Sequence, residues 1–264
     1  MKVLVRKDYE EMSRTAAEIV ASLLRCKPDC VLGLATGSTP VGMYKELVRM
    51  CREENLDFSG VKTFNLDEYY GLNPDHEQSY RYFMNDNLFN HINIKKENTH
   101  VPNGLVKLEE VDKFCENYEK MIEDAGGIDL QVLGIGGDGH IGFNEPSSSL
   151  ASCTRLIALD EQTRSDNARF FNSIDEVPRA AITMGVGTVL KSKCCLLLAN
   201  GKKKAEVVAK AIEGPVTNQI TASALQLHPN TITIIDEEAA SKLKRKEYYI
   251  YAEKMWKELG KSIV

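Results

Sequence analysis

Short apolar runs alternate with stretches of helical periodicity along nearly the whole chain, and this alternation limits the fold more than any other feature. Val3-Leu4-Val5 reads as a strand, and Asp8 to Leu24 then places Met12, Ala16, Ile19, Val20 and Leu23 at helical spacing. Cys30 to Ala35 suits a buried parallel strand, followed by a helical pattern through Met43, Leu47 and Met50. Val61 to Leu66, Ile128 to Ile135, Leu156 to Leu159, Ala181 to Thr183, Cys194 to Ala199 and Ile232 to Ile235 read as further strands. Ser79 to Phe89, Val106 to Glu123, Lys202 to Ile212 and Glu237 to Leu259 read as helices. Such alternation implies an α/β fold: a doubly wound, mainly parallel, Rossmann-like sheet with helices on both faces. The 264 residues show no internal repeat, low-complexity segment or linker, so the reading is a single domain over 1–264. Polar, aperiodic Thr163 to Val177 is a candidate lid.

In such sheets ligands bind beyond the carboxyl ends of the strands. Three segments with chemical character follow strands directly. The first is Thr36-Gly37-Ser38-Thr39-Pro40, whose backbone N–H groups, hydroxyls and following helix form an anion cradle, with Thr39 as N-cap and Pro40 at the first helical position. The second is Asp67-Glu68-Tyr69-Tyr70-Gly71. Its carboxylates fit a helix cap or turn, and equally fit a base for a carbon-bound proton beside a carbonyl. The third, Gly134 to Pro146, sets five glycines around Asp138, His140 and Glu145, and is the expected catalytic centre.

Gly134-x-Gly136-x-x-Gly139, with Asp160 about twenty residues on, satisfies a dinucleotide fingerprint. The reading is rejected because Asn144-Glu145-Pro146-Ser147-Ser148-Ser149 continues as loop where that motif opens a helix. Asp138, His140 and Glu145 are a possible metal-ligand set. The other histidines (His76, His91, His100 and His228) offer no obvious partner, so a metal-free acid/base cluster is preferred, in which two carboxylates favour and orient an imidazolium. Arg169 and Lys204 could complete an anion site.

Composition excludes some partners. A net charge of -5 with no long basic run argues against nucleic acid, and Lys202-Lys203-Lys204 reads as a solvated helix start. No apolar run approaches the ~20 residues of a membrane span, and no signal peptide is apparent. Seven scattered cysteines without a C-x-x-C pair suit reduced thiols in a cytoplasmic protein.

The motifs carry a resemblance. Leu32 to Pro40, Thr63 to Tyr69, Gly136 to Pro146, Asn167 to Phe171, Met184 to Thr188 and Leu225 to Pro229 are similar, nearly end to end, to the glucosamine-6-phosphate deaminase (isomerase) family. The resemblance implies conversion of glucosamine 6-phosphate and water to fructose 6-phosphate and ammonia, with no cofactor and no metal. It implies that Asp67 takes the C2 proton, and that His140, assisted by Asp138 and Glu145, opens the sugar ring. It further implies that Thr36, Gly37, Ser38, Thr39, Gly137, Arg169 and Lys204 bind substrate and phosphate. Within the same fold a 6-phosphogluconolactonase would share the cradle and histidine but not need Asn65-Leu66-Asp67-Glu68-Tyr69. A sugar-phosphate sensor would not need the Asp138–His140–Glu145 set.

Some family members are hexamers activated by N-acetylglucosamine 6-phosphate; here a homo-oligomer and a monomer both stay open. Of that effector pocket Ser148 and Arg155 remain, but Ile157 stands in place of a lysine and Ile250 in place of a tyrosine. Losing the lysine removes a point charge from a phosphate site. N-acetylglucosamine 6-phosphate is therefore expected to leave the rate-against-substrate curve unchanged; a sigmoidal curve turned hyperbolic by it would overturn this.

Overall fold

A computed structural model describes residues 1–260. The elements run β1 (Lys2–Arg6), α1 (Tyr9–Cys26), β2 (Val31–Leu34), α2 (Val41–Glu53), β3 (Lys62–Asn65), β4 (Asp67–Tyr69), α3 (Tyr80–Asn87) and β5 (Thr99–His100). There follow α4 (Val111–Asp124), β6 (Leu130–Leu133), β7 (Arg155–Ala158), α5 (Glu161–Asn167), β8 (Ala180–Thr183) and α6 (Val186–Leu190). The chain ends with β9 (Cys195–Ala199), α7 (Ala205–Glu213), β10 (Thr231–Asp236) and α8 (Lys246–Glu258). One sheet has the order β1-β10-β9-β6-β2-β3-β5, and every pairing in it is parallel. From β2 the chain winds outward through β3 to β5, then returns to β6 and winds the other way through β9 and β10. α1 and α2 pack on each other on one face, and the right-handed rule for parallel crossovers assigns α4 and α7, whose connections run the other way along the sheet, to the opposite face. This is the doubly wound architecture expected from the alternation, and the winding reverses between β2 and β6, where such sheets open a crevice.

Local chemistry explains the elements. Asp8 caps α1 by accepting from Glu11 N at 2.9 Å, and Met12, Ala16, Ile19 and Val20 on its inner stripe are buried. Central strands β2, β6, β9 and β10 are buried along their whole lengths, as a sheet covered on both faces requires.

Three expectations need correction. Leu156 to Leu159 and Ala181 to Thr183 are strands, but they do not join the parallel sheet. β7 and β8 pair antiparallel with each other and β8 with β4, as a separate three-stranded sheet. Thr39 does not cap α2. Pro40 occupies the cap position in a helical conformation, and the Thr39 hydroxyl donates to Asn200 Oδ1 at 3.1 Å. Glu237 to Leu259 is not one helix: a short turn over Ala239–Lys242 precedes α8. Between them, Glu213 accepts from Lys244 N at 2.8 Å and Arg245 N at 2.9 Å, holding the break open. The candidate lid holds most of α5 and two short turns, tied together where Arg164 donates to Ile174 O at 2.8 Å.

At the amino end of the sheet, buried Asp129 accepts from Lys27 Nζ at 2.6 Å, Lys193 Nζ at 2.7 Å and Val31 N at 2.8 Å. It thereby joins the end of α1 to the approaches of β2 and β9. Asp129→Ala leaves a buried N–H unpaired and is expected to cost about 1–3 kcal/mol in urea denaturation.

Candidate active site

β2, β3 and β6 deliver their carboxyl ends to the crevice. Beyond β2, Tyr44 OH donates to Ala35 O at 2.6 Å and Tyr9 OH to Ser38 O at 3.1 Å, pinning the cradle loop from below. Past β3, the chain leaves the parallel sheet as β4, with Asp67 opposite Thr183. Side chains alternate along a strand, so Asp67 and Glu68 part company. Asp67 lines the cavity; Glu68 turns away and accepts from the N–H groups of Tyr69, Tyr80 and Arg81. The two readings of this pair thus fall on different residues, one carboxylate at the site and one capping α3.

The loop beyond β6 folds on its own backbone. Gly136 N donates to His140 O at 2.8 Å and His140 N to Asp138 Oδ1 at 3.1 Å. A Cβ on Gly136 would lie 2.4 Å from the His140 ring, so glycine here is what lets the imidazole lie flat on the backbone. Gly142 has φ 54°, and its open side faces Asp67 and Thr183. Asn144, fully buried, donates to Ile141 O at 2.9 Å and Met184 O at 2.8 Å, which fixes the loop against the antiparallel sheet.

His140 Nδ1 lies 2.7 Å from Asp138 Oδ1 and 3.5 Å from Glu145 Oε2. Burial alone would discharge the imidazole, but the two carboxylates outweigh it and raise its pKa to about 9. Burial likewise disfavours ionised Asp138, yet the imidazolium and two backbone N–H groups hold it at about 2. Asp67 is pushed up to about 7 by burial and by the charge of Glu68, against the pull of His140, Phe143 N–H and the Thr183 hydroxyl. Burial lowers Lys204, although Asp166 and Asp138 resist; its Nζ donates to Ile135 O at 2.7 Å.

A cavity of about 210 Å³ gathers these groups. Thr36, Gly37, Ser38, Thr39, Asp67, His140, Arg169 and Lys204 all line it, as expected from the sequence. Asp138 and Glu145 stand behind His140 rather than on the wall. Gly137 is not on the wall either; its open side faces the Asp166 carboxylate of α5. Ser148 and Arg155 lie apart from the cavity, joined at 3.2 Å, and Arg155 also donates to Asn144 Oδ1 at 2.9 Å. Tyr80 and Asn167 line the cavity without having been singled out. Tyr80 is the first residue of a capped helix, which carries no chemical signal by itself. Asn144 and Thr183, which brace the site, are uncharged, and only their burial marks them. Asp138, His140 and Glu145 offer donor atoms within 4.8 Å of one another, a spacing a divalent ion could use. Since Nδ1 faces both carboxylates, Nε2 is the atom left for a substrate.

Fold and site together place the chain in a defined class: it belongs to the family of glucosamine-6-phosphate isomerases and 6-phosphogluconolactonases, matched over residues 7–234. Within that family it stands with the glucosamine-6-phosphate deaminases. It is 57% identical to the glucosamine-6-phosphate deaminase of Thermoanaerobacter pseudethanolicus over 91% of this chain and 94% of that one. It is also 57% identical to that of Clostridium perfringens strain 13, over 92% of this chain and 100% of the other. A solved monomeric glucosamine-6-phosphate deaminase superposes with a TM-score of 0.89 at 50% identity, over 92% of this chain and 100% of its own. The 6-phosphogluconolactonase of Trypanosoma cruzi shares the fold alone, with a TM-score of 0.73 at 20% identity over 92% of this chain and 97% of its own.

The folded pKa of His140, about 9, lies above its ordinary 6.5. Its proton therefore contributes stability that is fully present below pH 6.5 and lost as pH rises through 9. NMR titration should place the imidazole near 9, and denaturation midpoints should fall across this window. Asp138→Asn should lower the titration midpoint and flatten the fall.

Proposed function

We propose that this chain converts glucosamine 6-phosphate and water to fructose 6-phosphate and ammonia. The observation that carries the reading is that one cavity holds a charged imidazole and a buried carboxyl near neutrality, next to a cradle for an anion. Identity of 57% to named deaminases supports it.

Thr36 to Thr39, Arg169 and Lys204 take the phosphate, with backbone N–H groups and two cations meeting its charge. At neutral pH His140 is an imidazolium, so it can protonate the ring oxygen and, left neutral, take up the C1 hydroxyl proton, opening the ring to the aldehyde. Asp138 and Glu145 keep the cation in place throughout. The aldehyde acidifies C2. Asp67 removes that proton, and the electron pair moves to give the C1–C2 enolamine. Reprotonation at C1 leaves an imine at C2; water adds, and ammonia departs. A base acts best when its pKa lies near the working pH, which suits a carboxyl at about 7. Lactone hydrolysis has no carbon-bound proton to remove, which leaves Asp67 without a task and favours the deaminase reading. The 163–177 segment, which brings Asn167 and Arg169 to the cavity, serves as its cover.

Asp67→Asn keeps the side-chain shape and loses the base. Ammonia release should fall by about 10²–10⁴-fold, with binding of glucosamine 6-phosphate retained; near-normal release would refute the assignment.

A further inference from the structure

We propose that Glu68, which does not line the cavity, is a positioning residue that sets the basicity of Asp67 and fixes it to the start of α3. The proposal rests on the deaminase reading of Asp67. Glu68 is 2% exposed. Its Oε1 accepts from Tyr69 N and Tyr80 N, each at 2.9 Å, and its Oε2 accepts from Arg81 N at 3.0 Å. Tyr80 and Arg81 are the first two residues of α3.

Capping does not by itself require a carboxylate. Ser79 accepts from Tyr82 N at 3.0 Å, and Glu68 takes the N–H groups of Tyr80 and Arg81 that Ser79 leaves, a task a neutral oxygen could share. A second, ionisable acceptor carries a desolvation cost that a neutral side chain would avoid. What a carboxylate adds is charge, one residue from Asp67 and out of contact with water. The two carboxyls titrate as a pair. Burial pushes Glu68, like Asp67, up to about 7, while its three N–H groups, the helix N-terminus and Arg81 favour the ionised form of Glu68. Its negative charge then makes the Asp67 proton harder to remove, so ionised Asp67 is a stronger base.

Other groups face Asp67 from each packed element. His140 faces it from the β6 loop, and its cation pulls the opposite way. Tyr69 of the same strand, Tyr80 of α3 and Tyr118 of α4 also feel its charge; burial keeps all three phenols neutral through the neutral range. β8 contributes only the Thr183 hydroxyl. Arg81 acts on the Glu68 side. As Glu68 ionises, Asp67 is thus balanced between it and His140.

Glu68→Gln keeps an oxygen for Tyr69 N and Tyr80 N and removes the charge. The ¹³C carboxyl titration of Asp67, recorded without substrate, should move down by about one pH unit. The acid limb of kcat/KM should move with it, and kcat should fall while KM for glucosamine 6-phosphate holds. Glu68→Asp keeps the charge but shortens the reach to α3, so Tm should fall and the acid limb stay in place. A Glu68→Gln titration at the parental midpoint would overturn the proposal. So would a Glu68→Asp limb displaced to lower pH, which decides the matter even where Glu68→Gln does not fold. Failure of the parental enzyme to release ammonia would instead refute the function and leave the titration to judge Glu68.

Discussion

The site is divided between two sheets, and the hydrogen bonds that lock them together underlie everything else. His140 hangs from the parallel sheet, on the loop after β6; Asp67 lies on the antiparallel one, in β4. Phe143 N donates to Thr183 Oγ1 at 3.1 Å, Asn144 Nδ2 to Met184 O at 2.8 Å, and Met184 N to Leu66 O at 2.7 Å. These bonds are buried and made by uncharged groups, so ionic strength and pH leave them alone. The titrating groups can therefore change charge without the two sheets drifting apart. Buried polar networks of this kind are favourable only when complete, which is why Asn144 uses both amide hydrogens and its oxygen.

The electrostatics follow from burial more than from the number of charges. Each group is displaced from its ordinary behaviour by loss of water, and its neighbours decide how much of that displacement survives. For His140 two carboxylates reverse it; for Asp67 a neighbouring carboxylate adds to it. The result is a charged imidazole and a carboxyl near neutrality in one cavity at the same pH. Exposed side chains with the same identities would be a fully charged, weakly basic aspartate and a mostly neutral histidine.

The sheet, its helices and the residues around the cavity were legible in the sequence because each is a local signal. Apolar runs mark covered strands, 3.6-residue periodicity marks helices, and glycines around titratable groups mark a shaped loop. What stayed hidden depends on distant partners. β4 is three fully buried residues, too few to show an alternation, and its pairing with β8 is decided by tertiary register. β5 is two residues at a sheet edge. Thr39 carries a capping side chain, but Asn200, far along the chain, takes its hydroxyl. The break before α8 is made by Glu213 of α7, which no local pattern announces.

Lys204 gives one of its hydrogens to the carbonyl of Ile135, at the strand end from which the His140 loop departs. An ammonium has three hydrogens, so it can hold that carbonyl and an incoming phosphate together. The ammonium thus ties the start of α7 to the strand end that carries the histidine loop, so any anion held by Lys204 would sit at a fixed offset from His140.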